Sequence, residues 1–384
     1  MNLMTASNQW ATRPADERFW DLDELETATL AHRNAARNGS TLPSTLRVEA
    51  QGDELTLFGK TGTPATMTNW AFSQLCAKYH MPAGYLRDIA PTLAAQNVNF
   101  SIKKYADDKN GETKLLMHQN GGYYVRAILS ERYTRIWNSE IVRRLKELVA
   151  QDASWRVPPS RPAVNDPRAR PATEADVLTV RNSGLSIQVG DQIAPGGLFA
   201  SFEDMFVLMV NEHNRIDDGS EFGLSRGFMI QNSEVGKSAF KIITFLYRMV
   251  CGNLILWNAE EIEEISLRHV GDAGPRMVER LQVELAKYVN LSAGPTEQKI
   301  RIAQTKRIAA KPEDVIDYIF RYKLLGRKVA EEAMAAVVVE QDGDPLSYYG
   351  FAQGITRLSQ QDARYIDQRV QMDRSAGKLI EMAF

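Results

Sequence analysis

Apolar and polar positions alternate with a period of two over residues 46–50 and 54–58, on either side of Gly52-Asp53. That pattern predicts a β-hairpin. After Thr68-Asn69 the period lengthens: Phe72, Leu75 and Cys76 recur at helical spacing within WAFSQLCAKYH. Met81-Pro82 ends this helix, and Pro82 opens a second, short one, giving the spacing of a small helix-turn-helix. Residues 97–104 and 113–117 alternate again and are expected to pair as strands around a charged turn at 107–112. A further strand follows, with Tyr123, Val125, Ala127 and Leu129 on one face and Tyr124, Arg126, Ile128 and Ser130 on the other. Asn138 or Ser139 is expected to cap the next helix, which buries Ile141, Leu145 and Leu148.

Residues 154–176 hold five prolines and four arginines and cannot sustain a helix or a central strand. Beyond this loop, residues 177–189, 198–210 and 223–231 read as strands, residues 237–251 as an apolar helix, and the chain after Gly274 as mostly helical. Breaks fall at Gly294-Pro295, Lys311-Pro312 and Asp344-Pro345. The predicted class is α+β: an antiparallel, hairpin-rich sheet with helices on one side and a mostly helical C-terminal third. Five segments result: an acidic N-terminal arm (1–40), a first α+β unit (41–152), the Pro/Arg-rich loop (153–176), a strand-rich unit with a helix (177–273) and the helical region (274–384). The arm is expected to dock through Phe19, Trp20, Leu22 and Leu25.

Composition narrows the classes of function. With 44% hydrophobic and 24% charged residues, the 384-residue chain is expected to be a soluble globular protein. Two cysteines exclude a disulfide framework and suit a reducing cytoplasm. No run is long and apolar enough to span a bilayer. The net charge of −2 hides local imbalance: residues 119–170 carry ten Lys/Arg against five Asp/Glu, and residues 299–328 carry nine against three. Residues 1–60 reverse the sign, with six against nine. Either basic segment is the solvated face of a helix, or the two together form a stripe for phosphate.

Catalytic motifs are weak. Gly236-Lys237-Ser238 resembles the end of a phosphate loop, but Gln231 stands where the first glycine belongs. A strand-to-helix turn capped by Asn232, Ser233 or Ser238 is the expected structure there, with its helix N-terminus open to an anion. Glu112-Thr113-Lys114 lacks the second-strand acid of a metal-dependent nuclease. The five histidines are scattered, so no metal site, cofactor or catalytic residue is assigned. The stronger signal is basic–aromatic mixing over residues 121–145, the combination that stacks bases and holds phosphates of single strands. The candidate nucleic-acid-binding residues are Arg126, Arg132, Tyr133, Arg135, Trp137, Arg143 and Arg144, with Lys237, Lys299, Arg301, Lys306 and Arg307 beyond them. FRYKLLGRK, at residues 320–328, mixes aromatics and cations in the same way.

Three ordered motifs carry a resemblance: RA-x-LS-x-RY at 126–133, NS-x-x-G-x-SAF at 232–240 running on to CxN, and YYGFAQGITRLSQ near the end. Over residues 68–384 the chain resembles a phage- and plasmid-related family, domain of unknown function 932. The resemblance implies a mobile-element context and supplies no activity or catalytic residues. The resulting expectation is a cytoplasmic, homo-oligomeric protein that binds or anneals single-stranded DNA without ATP in replication or recombination. The alternatives are an enzyme acting on nucleic acid or nucleotide, and a phage protein that binds a host or defence factor.

Overall fold

The computed structural model describes residues 3, 13–119, 121–157, 166–174, 176–177, 187–220, 223–248, 253–255, 265–339, 343–361 and 366–384. The chain opens with β1 (Arg18–Phe19), α1 (Leu22–Ala35) and β2 (Ala36–Thr41). Next come β3 (Arg47–Gln51), β4 (Glu54–Phe58), β5 (Ala65–Met67), α2 (Asn69–Lys78), α3 (Ala83–Asp88) and α4 (Pro91–Tyr105). The first half closes with β6 (Thr113–Gln119), β7 (Tyr123–Ser130) and α5 (Asn138–Gln151). These strands form a six-stranded sheet in the order β2-β6-β7-β5-β4-β3, antiparallel except for the β5–β7 pair. The hairpin expected around Gly52 is β3–β4, and Thr68 caps α2 through the Ala71 amide, as Thr-rich helix starts do.

A second, eight-stranded sheet follows. It contains β8 (Trp155–Arg156), β11 (Leu198–Ala200), β12 (Met205–Ile216), β13 (Leu224–Asn232), β14 (Phe240–Arg248), β15 (Asn253–Ile255) and β16 (Ile265–Leu267), with β1 added at one edge. A separate two-stranded ribbon pairs β9 (Arg170–Pro171) with β10 (Gln192–Ile193). The helical third comprises α6 (Ala273–Val289), α7 (Gly294–Thr305), α8 (Pro312–Arg321), α9 (Arg327–Ala335), α10 (Tyr348–Gln361) and α11 (Ile366–Glu381). The α+β class and the helical C-terminal third are as expected, and prolines sit in the first turns of α7 and α8.

Three expectations are corrected. Residues 97–104 belong to α4, not to a strand: Ala94, Val98 and Ile102 are buried at helical spacing, while Phe100 is 68% exposed and creates a false alternation. Residues 240–248 form β14, not a helix. Both faces of that strand are buried, Phe240 and Ile242 against one cluster and Ile243 and Phe245 against another. A strand covered on both sides loses its alternation and reads as a continuous apolar run. The two faces of β7 also differ from the simple alternation. Leu116 pairs with Ala127 and Met117 with Val125, so Arg126 is the extra residue of a bulge. Val125 and Ile128 therefore share the α2/α4 core, while Ala127 and Leu129 pack with Leu116 and Val235. Most of the strand expected at 177–189 lies outside the described residues.

The core is divided accordingly. Phe72, Leu75, Val98 and Ile102 cover one face of the six-stranded sheet. Ile141, Val142 and Leu145 of α5, with Met277 and Leu281 of α6, cover one face of the eight-stranded sheet. Phe19 and Leu25 join that second core with Leu22 packed against it, as expected of the arm, whereas Trp20 packs against a separate small cluster of Ala172, Ile187 and Ile193. Burying a side chain of this size contributes about 1.5–3 kcal/mol. Gly227 is required at the centre of the meander, because a Cβ there would lie 2.2 Å from the Phe245 ring and 2.8 Å from the Met209 carbonyl. The C-terminal helices enclose their own core around Ile319, Phe351, Ile355 and Leu379.

Candidate nucleic-acid interface

The connector between β7 and α5 is built as a turn that is then tied to distant parts of the chain. The Tyr133 amide donates to the Ser130 carbonyl at 3.1 Å, and the Thr134 amide to the His269 carbonyl at 2.8 Å. The Tyr133 hydroxyl lies 3.1 Å from the Ser233 carbonyl and 3.0 Å from His269 Nδ1, with the two rings stacked at 5.1 Å. A phenol has one proton, and the carbonyl can only accept, so His269 Nδ1–H donates to the hydroxyl. Burial holds His269 neutral, with its pKa pushed down to about 4. Burial also raises the Tyr133 phenol, so this pair stays uncharged at neutral pH.

Glu234 organises the other side of the connector. One carboxylate oxygen accepts from the Asn138 amide at 2.9 Å, the other from Arg126 Nη2 at 3.2 Å. Its backbone carbonyl accepts from Arg135 Nε at 3.0 Å. Glu234 therefore caps α5 from another element, the task expected of Asn138 or Ser139. Asn138 instead accepts from Asn232 Nδ2 at 2.7 Å. The Arg126 and Glu234 side chains are each 1% exposed, and Arg126 Nε also donates to the Phe202 carbonyl at 2.9 Å. An arginine buried and paired in this way is a structural tie, although its Nη1 has no partner, so Arg126 cannot reach a phosphate without breaking the fold.

The NS-x-x-G motif completes this clasp. Ser233 Oγ donates to the Glu203 carbonyl at 2.7 Å, and Gly236 turns with φ 75° where a Cβ would meet Leu129 at 2.9 Å. The turn joins β13 to β14, both strands, so no helix N-terminus stands there to receive an anion. Lys237 lies 3.1 Å from Glu203 and 3.7 Å from Asp204, and Arg13 reaches the same Asp204 at 2.9 Å. Lys237 thus belongs to a mixed-charge cluster beneath the arm. Within that cluster burial raises Glu203 and pushes Glu17 up to about 7.

What remains open is a cleft of about 490 Å3 between β2, β6 and the connector. Lys114, Tyr133, Arg135 and Trp137 line it, with Asn38 and Ser40 on the β2 side. Lys114 Nζ donates to the Tyr133 carbonyl at 3.0 Å, and Arg135 Nη1 to Asn38 Oδ1 at 2.5 Å. The Trp137 ring carries two guanidinium groups, Arg135 at 5.0 Å and Arg33 at 5.3 Å from its centroid. Arg132, next to the cleft in sequence, is exposed and makes no side-chain hydrogen bond or ion pair among the described residues. Arg143 and Arg144 lie outward on α5 and pair with Glu140 and Glu147. Exposed pairs of this kind contribute about 0–1 kcal/mol and exchange readily for a phosphate.

The second basic segment is placed elsewhere. Lys299 lies over the Phe384 ring at 5.6 Å, Arg301 reaches Asp217 at 3.3 Å, Lys306 donates to the Ala383 carbonyl at 2.7 Å, and Arg307 pairs with Asp344 at 2.6 Å. These four cations fasten the chain end, the loop between β12 and β13 and the loop before α10. Their segment packs on a different core from the connector. The structure thus gathers Tyr133, Arg135 and Trp137 into one cleft, with Arg132 beside it, and gives Arg126 and Lys237 internal partners.

Sequence reasoning missed Glu234, Lys114, Arg33 and Asn38. Glu234 lies inside the NS-x-x-G motif, but its partners Arg126 and Asn138 are about a hundred positions away. Lys114 belongs to the Glu112-Thr113-Lys114 element, whose acids do not converge: Glu112 bonds Ser40 and Asp108 bonds Ser44. Among the described residues no group of three or more His, Cys, Asp or Glu side chains could hold a metal ion, and no helix is long and apolar enough to cross a membrane. No protein-family model, curated protein or solved structure matches the chain.

Proposed function

We propose that the protein binds single-stranded nucleic acid, DNA by preference, through the cleft between β2, β6 and the β7–α5 connector. The observation that supports this reading is the convergence of Lys114, Arg135 and the Trp137 ring in one open cleft, flanked by the unpaired Arg132. A base stacks on the Arg33–Trp137 pair, since a guanidinium plane offers a base the same kind of face as an aromatic ring. Lys114 and Arg132 take the neighbouring phosphates, and Arg143 and Arg144 extend the track along α5. The mobile-element context implied by the resemblance makes replication or recombination the setting. Annealing by a homo-oligomer is the fuller form of this proposal.

The test is anisotropy of a labelled oligo-dT across a salt series. Each phosphate contact removed lowers the slope of log affinity against log salt by about 0.7. The double variant Lys114→Gln, Arg132→Ala is expected to lose about twice that, with the fold intact by circular dichroism. Absence of micromolar binding by the wild type at low salt sinks the reading. Metal-dependent degradation of the oligonucleotide favours the processing enzyme instead.

A further inference from the structure

The helical third holds a second cavity, of about 670 Å3, which shares no residue with the cleft. Its lining includes the buried Leu324 and Met372 with Val329, and the exposed Phe320, Arg321, Lys323, Gln368 and Gln371. Phe320 is 52% exposed although α8 buries Val315 and Ile319 on its inner side. The side chains of Arg321, Lys323 and Lys328 make no hydrogen bond or ion pair among the described residues. No acid lines the cavity.

Lys323 sharpens the picture. The Leu324 amide bonds back to the Ile319 carbonyl at 3.1 Å, which closes α8 in a Schellman turn, and Lys323 occupies its left-handed position with φ 55°. Glycine fills that position at least cost. A lysine there adds an exposed cation to the lining of the cavity, which also holds an exposed ring.

We propose that this cavity receives an unpaired base of a single-stranded nucleic acid, an inference that rests on the proposed function and adds a second contact point to it. Phe320 stacks on the base, the Gln368 and Gln371 amides meet its polar edge, and Arg321, Lys323 and Lys328 hold the flanking phosphates. The volume falls in the range of about 300–1,000 Å3 that suits a compact ligand. Charge decides the occupant: an apolar peptide would leave three cations unneutralised, whereas a polynucleotide supplies one anion per residue.

The experiment uses the full chain and an oligo-dT carrying one 2-aminopurine. Lys323→Gly suits the turn, so its melting temperature should not fall, while the salt slope drops by about 0.7. Phe320→Ala should weaken binding about tenfold and relieve the quenching of 2-aminopurine. If the wild type binds and both variants match it, the cavity proposal is overturned and the cleft reading stands. If the wild type binds no oligonucleotide, both fall. If oligo-dT binding is unchanged but a polyglutamate peptide loses affinity for both variants, the cavity is a protein-docking site and the proposal is wrong.

Discussion

Removing the Glu234 carboxylate should loosen the tie between the β13–β14 turn and the start of α5. In Glu234→Ala the Arg126 guanidinium keeps only the Phe202 carbonyl, and the Asn138 amide at the start of α5 loses its acceptor. Breaking a buried pair from one side costs about 3–5 kcal/mol. Loss of a helix cap costs about 1 kcal/mol. The two losses share one side chain and will not add fully, so about 4 kcal/mol is expected. That is a large part of the roughly 5–15 kcal/mol that holds a domain folded. Glu234→Gln retains an acceptor for Asn138 and should cost about half as much. Arg126→Met combined with Glu234→Leu should recover most of the loss, because an apolar pair leaves no charge stranded. Urea unfolding gives the global value, and hydrogen exchange over residues 134–142 gives the local one. Exchange there should accelerate roughly a thousandfold in Glu234→Ala. A cost under about 1 kcal/mol with unchanged exchange would show that Glu234 is not the tie described.

Three further outcomes are expected. Glu17, pushed up to about 7 by burial, holds its proton in the folded protein where the unfolded chain has lost it. The folded state therefore binds more protons between about pH 4.5 and 7, and stability should fall as pH rises through that window, then level off. Glu17→Gln should flatten this part of the urea-midpoint profile; an unchanged profile argues against the assignment. Gly227→Ala places a methyl into the Phe245 ring and the Met209 carbonyl, and should lower stability by about 1–3 kcal/mol or abolish soluble expression. Cys76, fully buried with its thiol pushed up to about 11, should stay unlabelled by iodoacetamide in native buffer and react only after unfolding, as read by peptide mass mapping.

The sequence spelled out elements whose signals are local. The β3–β4 hairpin, the Thr68 cap of α2 and the proline starts of α7 and α8 all follow from a few neighbouring residues. It misread elements whose pattern depends on what covers them. Phe100 imitates a strand because it is an aromatic on the wet side of a helix, and β14 imitates a helix because both of its faces are buried. The site divides along the same line. Tyr133, Arg135 and Trp137 are close in sequence and were found together. Arg126 was grouped with them by proximity, yet the bulge at its position turns it toward Glu234, 108 residues away. Nothing in the local composition distinguishes an arginine aimed at a phosphate from one aimed at a buried carboxylate.

The arm gives one strand to each of the two large sheets: β1 pairs with β11, and β2 pairs with β6. These two pairings mature at different times during synthesis. The partner of β2 lies within the first 119 residues, so the six-stranded sheet can close once its last strand, ending at Ser130, has left the ribosome. The partner of β1 begins at Leu198, so that edge must wait for a further stretch of chain longer than α1 to α4 together. Until then Arg18 and Phe19 have no ladder to join. The seating of Arg18 and Phe19 against Leu198 and Phe199 is therefore a high-contact-order closure, the kind of pairing that forms slowly.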